Sequence, residues 1–328
     1  MTWLVWRQHR IQFYLGAALL AAFAVVIAIT GVQVASQWHS ALVACAASHS
    51  CSRLSDTGLF LGNHAVGFLV IMTLGAPALV GLFWGAPLMA AELETGTTQF
   101  AWAQSVTRKR WLAFKAGWML LAAAVWGGAI SALVTWWSGP DNALELDAFK
   151  PGRFDIMGIV PVGYSLFAMA LGIAAGALLR RTLPAMAVTL GGFIAARALI
   201  TLLLRPHYVS AVTVFYKVTG GFTPPGSYWQ IASGVLGPNG QAINQNTTGN
   251  AINGIPANYL PASCNAPSRG AFTPPPSCLQ ALSHFRAFLT YQPADRYWTF
   301  QGIETGIFLG LAAVLIAVTA VVLLRRDA

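Results

Sequence analysis

The sequence predicts an all-α polytopic membrane protein with six transmembrane helices and both termini in the cytoplasm. Three observations carry this. Apolar residues make up 56% of the 328 positions and charged residues only 9%, against roughly 25% charged in ordinary soluble domains. Six segments reach the length of about 20 apolar residues that a hydrocarbon core about 30 Å thick requires; they lie near 14–36, 64–91, 112–137, 157–179, 184–204 and 300–324. Lysine and arginine cluster beside these segments at Arg7 and Arg10, at Arg108, Lys109 and Arg110, at Arg180 and Arg181, and at Arg325 and Arg326. With six spans, all four clusters fall on one side, which the positive-inside rule assigns to the cytoplasm. The acidic residues Asp56, Asp141, Glu145, Asp147 and Asp155 then fall outside.

At the N-terminus, TWLVWRQHRIQF mixes Trp3, Trp6 and Phe13 with Arg7, His9 and Arg10. That is the composition of a helix lying among lipid headgroups, so residues 1–13 are expected to form a cytoplasmic interfacial elbow. Plain anchoring of the first span by tryptophan and arginine is the competing reading. The first apolar run is too long for a signal peptide, and no small-residue cleavage site follows a short core, so it is expected to be retained. Spans one to five occupy 14–204.

The most informative stretch is GAPLMAAELETGTTQFAWAQSVTRKRWLAFK, residues 85–115. Glu92 and Glu94 precede Gly96, which is suited to ending a helix. Thr97 or Thr98 can cap a short surface helix through QFAWAQSV, carrying Phe100, Trp102 and Gln104. Ser105 or Thr107 can cap the third span, whose first turns hold Arg108, Lys109, Arg110 and Lys115 at the cytoplasmic face. The pattern is helix, hinge, surface helix at about 96–108, hinge, helix. Carboxylates near a helix C-terminus oppose the helix dipole. Glu92 and Glu94 are therefore expected to meet cations, with Arg108 or Arg110 folding back to brace the elbow.

This stretch resembles the second-span exit and elbow of the permease subunits of type 2 ATP-binding-cassette (ABC) exporters, the short six-span actinobacterial kind. MTWLVWRQHR is similar to the N-terminal helix of that family, and YQPADRYWTFQGIETGIFLGLA to the start of its last span. Together these strings cover under a quarter of the chain, in matching order and spacing. The resemblance implies a type 2 ABC exporter permease fold with an enlarged external segment between spans five and six. It makes the elbow a coupling helix that docks on a separate ATPase subunit. Glu92, Glu94, Gly96, Thr97, Phe100, Trp102, Gln104, Ser105, Arg108 and Arg110 are its candidate coupling residues. It further implies a homodimer of permeases in the bacterial plasma membrane, served by two ATPase copies that carry ATP and Mg, with no cofactor on this chain. The cargo would be hydrophobic or amphipathic: a drug, antibiotic, lipid or peptide. Spans two and five line the path in that family, so Phe68, Met72, Phe83, Trp84 and Phe193 are candidate lining, against packing between helices or facing lipid as the plainer alternative.

Residues 205–299 hold most of the 17 prolines and the polar run GPNGQAINQNTTGNAINGIP. Their many aromatic residues argue against disorder, which usually lacks them, so an external loop domain with short helices is expected. Leu279, Leu282, Phe285 and Phe288 or Leu289 recur at helical spacing, predicting a helix from Cys278 to Leu289. The four cysteines, Cys45, Cys51, Cys264 and Cys278, all lie in external loops, which favours disulfides in an oxidising compartment. Sequence proximity pairs Cys45 with Cys51 and Cys264 with Cys278, one of three connectivities. Closing the second loop contributes about 3 kcal/mol on the chain-entropy estimate.

Charge inside a span costs roughly 2.5–3.5 kcal/mol at the bilayer centre on insertion scales. Arg197 in the fifth span and Glu304 in the sixth sit at similar depths below the external face, so they are expected to form an intramembrane pair, either as a structural bridge or as a gating or proton-linked device. The chain lacks GxxxxGK[ST], HExxH and GxSxG, so phosphate-loop, protease and hydrolase chemistry find no constellation. It has no CxxC and its six histidines are scattered, so no metal site is expected. The net charge of +9 reads as membrane topology, because no basic stripe with interleaved aromatics occurs on a soluble domain. Two other function classes stay open: an ion- or proton-driven secondary transporter using Arg197 and Glu304, and a membrane enzyme or scaffold built around the external domain.

Overall fold

The computed structural model describes residues 2–48, 64–95, 107–138, 149, 152–225, 228–243, 255–264 and 274–325. Among these, six helices are long and apolar enough to cross a membrane: Phe13–Gln33, Gly67–Glu94, Lys109–Trp137, Val160–Leu179, Thr182–His207 and Ala294–Arg325. They belong to α1 (Thr2–Ser48), α2 (His64–Val80, continued by Gly81–Gly85 and Ala86–Glu94), α3 (Arg108–Trp137), α5 (Val160–Leu179), α6 (Thr182–Leu199, continued by Ile200–Leu204 and Arg205–His207) and α8 (Tyr297–Arg325). A short α4 (Arg153–Ile156) precedes α5. The chain divides into two units. The first comprises Met1–Leu144, Lys150–Arg205 and Trp298–Ala328, and the second Glu145–Phe149 and Pro206–Tyr297.

α1 runs unbroken for 47 residues, about 70 Å at 1.5 Å per residue. The expected elbow at 1–13 is therefore not a separate helix, since no glycine or proline interrupts the chain before Gly16. α5 is the hub of the helical unit: 72% of its apolar window is buried, against 11–39% in the other spans. Two glycine pairs seat it on α2. A Cβ on Gly81 would lie 2.4 Å from the Ala168 carbonyl oxygen, one on Gly172 2.5 Å from the Gly81 oxygen, and one on Gly176 2.5 Å from the Ala86 oxygen. Small residues four apart on both partners allow this backbone approach. The small-residue face of the fourth span is thus occupied within the chain. Met89, Met119, Met169 and Ile173 fill the neighbouring core.

α2 and α6 each contain one π-turn, Gly81–Gly85 and Ile200–Leu204, two residues before Pro87 and Pro206. Proline lacks the N–H that the helical ladder needs at its position, and a π-turn is one way for a span to re-register around that gap. In α6 the re-registration has a further effect. Eight residues separate Arg197 from Arg205, about 80° out of phase in a regular helix. Absorbing one residue in a π-turn brings them within about 20° of the same face.

The loop between α4 and α5 is clasped by Gln301 of α8. Its Oε1 accepts the Ile159 and Val160 N–H groups at 2.9 and 3.0 Å, and its Nε2 donates to the Phe154 and Met157 carbonyls at 3.0 and 3.2 Å. The fully buried amide thereby satisfies two orphan donors at the start of α5. Gly158 is required beneath it: its φ is +71°, and a Cβ there would lie 2.6 Å from the Gln301 oxygen.

The second unit holds a three-stranded antiparallel sheet in the order β1 (Val212–Lys217), β3 (Arg286–Pro293), β2 (Tyr228–Leu236). β1 pairs β3 from Val212 with Tyr291 to Lys217 with Arg286. β2 pairs β3 with one irregularity between Gln230 and Ala232. α7 (Pro276–Leu282) lies against this sheet's core of Val218, Val235, Ile243, Leu282, Phe285 and Ala287. The helix expected to reach Leu289 therefore stops at Leu282. Ala287, Leu289 and Tyr291 alternate as the buried face of β3, so a period of two wins where the apolar spacing also fitted a helix. Cys264 and Cys278 are bonded, with Cα atoms 5.1 Å apart. Cys51, the expected partner of Cys45, lies outside the described residues.

Candidate functional site

The helical unit gathers five polar side chains in one connected cluster, all buried but for the part-buried Arg197: Asp155 of α4, Tyr164 of α5, Arg197 and Arg205 of α6, and Glu304 of α8. Glu304 has no exposed surface and Arg205 is 2% exposed. Glu304 accepts two hydrogen bonds from Arg205, from Nε at 2.8 Å and Nη2 at 2.6 Å, and a third from the Tyr164 hydroxyl. Arg205 Nη2 also reaches Asp155 Oδ1 at 2.5 Å. Arg197 Nη2 pairs with the other carboxylate oxygen of Asp155 at 2.8 Å. Both guanidinium groups lie over rings, Arg197 4.2 Å from the Tyr164 centroid and Arg205 4.6 Å from that of Phe154. Two cations and two anions make the cluster neutral, which is how charge persists at such burial.

Arg197 and Glu304 therefore share one cluster but are not each other's direct partners: Arg197 bonds Asp155, and Arg205 bonds Glu304. The three further members are hidden in the sequence for distinct reasons. Arg205 stood at the edge of the apolar run and read as the start of a loop, until the π-turn rotated it inward. The sequence places Asp155 in an external loop, whereas α4 folds it back to 8% exposure. Burial pushes its carboxyl up, yet Arg197 and then Arg205 more than offset this and hold it below the ordinary 3.8. Tyr164 carried no local signal at all. Tyr164 packs edge to face on Phe308, with centroids 4.7 Å apart, and on Phe193, as Phe167 does on Phe308, while Phe167 and Phe193 stack at 6.2 Å.

Beside the cluster, α2 and α6 form the walls of an apolar groove of about 630 Å³, open at the side. It is lined by Met72, Gly75 and Leu79 from α2, by Phe193, Ile194, Arg197 and Thr201 from α6, and by Asp155 from α4. Of the candidate path residues, Met72 and Phe193 lie on this groove. Phe68 and Phe83 face outward, 59% and 54% exposed. Trp84 packs elsewhere, over Gly16 and edge-on to Trp126 at 6.1 Å, in a smaller groove of about 300 Å³ beside α1 and α3.

Gly96, Thr97, Phe100, Trp102, Gln104 and Ser105 lie outside the described residues, as does the Arg108 side chain. The residues that flank them are ordered into clamps. Glu92 near the end of α2 is ion-paired with Lys115 of α3, which is 2% exposed and lies 5.2 Å from the Trp111 ring centroid. Glu94 accepts the Thr182 N–H at 3.1 Å and the Thr182 hydroxyl at 2.9 Å. It thus occupies the N-terminus of α6, where orphan N–H groups and the helix dipole favour a carboxylate. Arg110, one of the expected partners, instead stacks 5.8 Å from the Phe114 centroid. The carboxylates are therefore held by a lysine one turn beyond the basic cluster and by a helix terminus brought in from the distant fifth span.

A family model described as "ABC-2 membrane transporter related" matches residues 17–205, more than half of the chain. The chain belongs to this family. No curated protein and no solved structure matches it. Family membership and six membrane-competent helices make it a multi-pass membrane protein and a transport subunit of ABC-2 type, a class that works with an ABC ATPase. The matched segment includes Asp155, Tyr164, Arg197 and Arg205. Glu304 joins them from beyond it, on the last span of this ABC-2 family member.

Proposed function

We propose that the chain is the membrane subunit of an ATP-driven exporter, moving a hydrophobic or amphipathic substrate out of a bacterial cell. Two copies would form the permease, each contacting a separate ATPase through the elbow between α2 and α3. ATP and Mg would be bound by that partner. The observation carrying this reading is the pair of clamps at the elbow's flanks, on a chain whose family works with an ATPase. Glu92 with Lys115 ties α2 to α3, and Glu94 with Thr182 ties α2 to α6. A push on the elbow is then delivered to three spans together, including both walls of the groove.

Export follows if that push alternately opens the groove to either side. Apolar walls suit cargo with alkyl or aromatic surface, since burial contributes about 25 cal/mol per Å² of apolar area. The neutral charge cluster acts as a fixed pivot joining α4, α5, α6 and α8. Every oxygen of its two carboxylates already has a guanidinium or phenol partner, which favours a locking role over one carrying protons. Co-expression with a candidate ATPase, followed by purification in mild detergent, tests the reading. A complex whose ATP hydrolysis continues but no longer drives transport in Lys115→Met supports it. A stable permease that captures no ATPase, and whose transport persists without ATP but collapses with an uncoupler, refutes it.

A further inference from the structure

We infer that the groove between α2 and α6 selects amphiphiles bearing an anionic headgroup, a carboxylate or phosphate, and that Arg197 is the residue that reads it. The inference rests on the groove being the cargo path and adds the chemistry of the cargo.

Arg197 is the cation on the groove wall, and its side chain keeps 15% of its surface accessible. A guanidinium carries five N–H donors in a planar fork. Here Nη2 is committed to Asp155 at 2.8 Å, and one face of the plane lies on Tyr164. Among the described residues, Nε and Nη1 have no hydrogen-bond acceptor, although a guanidinium edge is shaped for two carboxylate or phosphate oxygens. Each Asp155 oxygen already has a guanidinium partner, with which a cationic ligand would have to compete. Oδ1 is 2.5 Å from Arg205 and 3.1 Å from the Tyr164 hydroxyl, and Oδ2 is taken by Arg197. The groove therefore presents open donors and occupied acceptors. Thr201, one turn beyond Arg197 on the same wall, adds a hydroxyl. The remaining walls, Ile71, Leu79, Ile194 and Leu202, are apolar, so an alkyl chain lies along them while its head meets Arg197. A bare phosphate ion would meet the donors but gain nothing from the walls.

The test is equilibrium binding to the full chain in phosphatidylcholine nanodiscs, corrected with empty discs. Radiolabelled dodecyl phosphate is the probe, competed by oleate, dodecyltrimethylammonium, dodecyl maltoside and inorganic phosphate. Oleate is expected to compete and the other three not to. Arg197→Lys keeps the charge but loses the fork, so affinity should fall on the order of tenfold, as expected for one charge-assisted hydrogen bond. Ala198→Trp, which fills the groove beside an intact charge cluster, should abolish binding and carries the test if the lysine variant does not fold. Equal competition by dodecyltrimethylammonium, or binding unchanged in Ala198→Trp, overturns the inference. Arg197-dependent binding by a chain that shows no ATP-driven export would sink the transport reading alone. Export indifferent to the headgroup would sink this inference alone.

Discussion

Replacing Glu304 with alanine removes a fully buried carboxylate that receives two Arg205 hydrogen bonds and one from Tyr164. Arg205 keeps Asp155, but Asp155 is already shared with Arg197, so the cluster is left with one uncompensated positive charge. Breaking a buried pair from one side costs about 3–5 kcal/mol. At about 2–4 °C per kcal/mol for a unit of this size, the midpoint should fall by roughly 6–20 °C. Removing both partners is different in kind. Arg205→Met with Glu304→Leu deletes one charge of each sign and leaves Arg197 paired with Asp155, so the cluster stays neutral and the desolvation cost disappears. The double variant should therefore recover most of the loss, as apolar replacements of buried pairs often do. The assay is thermal denaturation in detergent followed by fluorescence-detected size exclusion. A shift below about 2 °C for Glu304→Ala, or a double variant that merely sums the two single losses, would refute the reasoning.

Gly172→Leu should destabilise by about 1–3 kcal/mol through overpacking, because its Cβ would meet α2 backbone atoms at 2.5–2.8 Å. Gly306→Leu, where nothing lies within 4 Å, should be tolerated in the isolated chain; equal midpoints would deny the close α2–α5 contact. Because Asp155 titrates below its ordinary value in the folded chain, its stabilisation is complete above about pH 4 and is lost as pH falls through the folded value. Thermal midpoints of the wild type should therefore decline on acidification below about pH 4, and Asp155→Asn should flatten that limb. Reduction of the Cys264–Cys278 bond, or Cys278→Ser, should cost about 2–4 kcal/mol in the sheet unit, read as faster proteolysis between β2 and β3 with helical content unchanged.

How legible these features were depended on the range of the forces that fix them. Six spans follow from local apolar length, and the sequence boundaries near 112–137 and 300–324 lie within a few residues of the structure. Arg197 and Glu304 stood out because charge inside an apolar run is expensive. Their partners did not, since Arg205 is turned inward by a π-turn that no periodicity announces and Asp155 by a four-residue helix. Gln301 reads as an ordinary polar residue in a span, and only the folded chain shows it closing four hydrogen bonds. The start of β3 reads as helix in the sequence because Leu279, Leu282, Phe285 and Leu289 satisfy a 3.6-residue period as a set, while the strand begins inside that set. At the elbow, the need for a cationic partner was legible from Glu92 and Glu94; Lys115 answers it for Glu92, whereas Glu94 is held by the start of α6. Which groups held them depended on helix packing, which put Lys115 and Thr182 within reach.

The central claim is that an ATPase drives this permease through the α2–α3 elbow. Its most direct test is ATP-dependent uptake of a fluorescent amphiphile into inside-out proteoliposomes holding the chain with its candidate ATPase, for the wild type and for Glu92→Gln with Lys115→Met. The wild type should transport only with ATP and Mg, and the double variant should keep hydrolysing ATP while transport falls, since the clamp that passes motion from the elbow to the spans is gone. Transport that ignores ATP, or that survives unchanged when both members of the clamp are removed, would contradict the account.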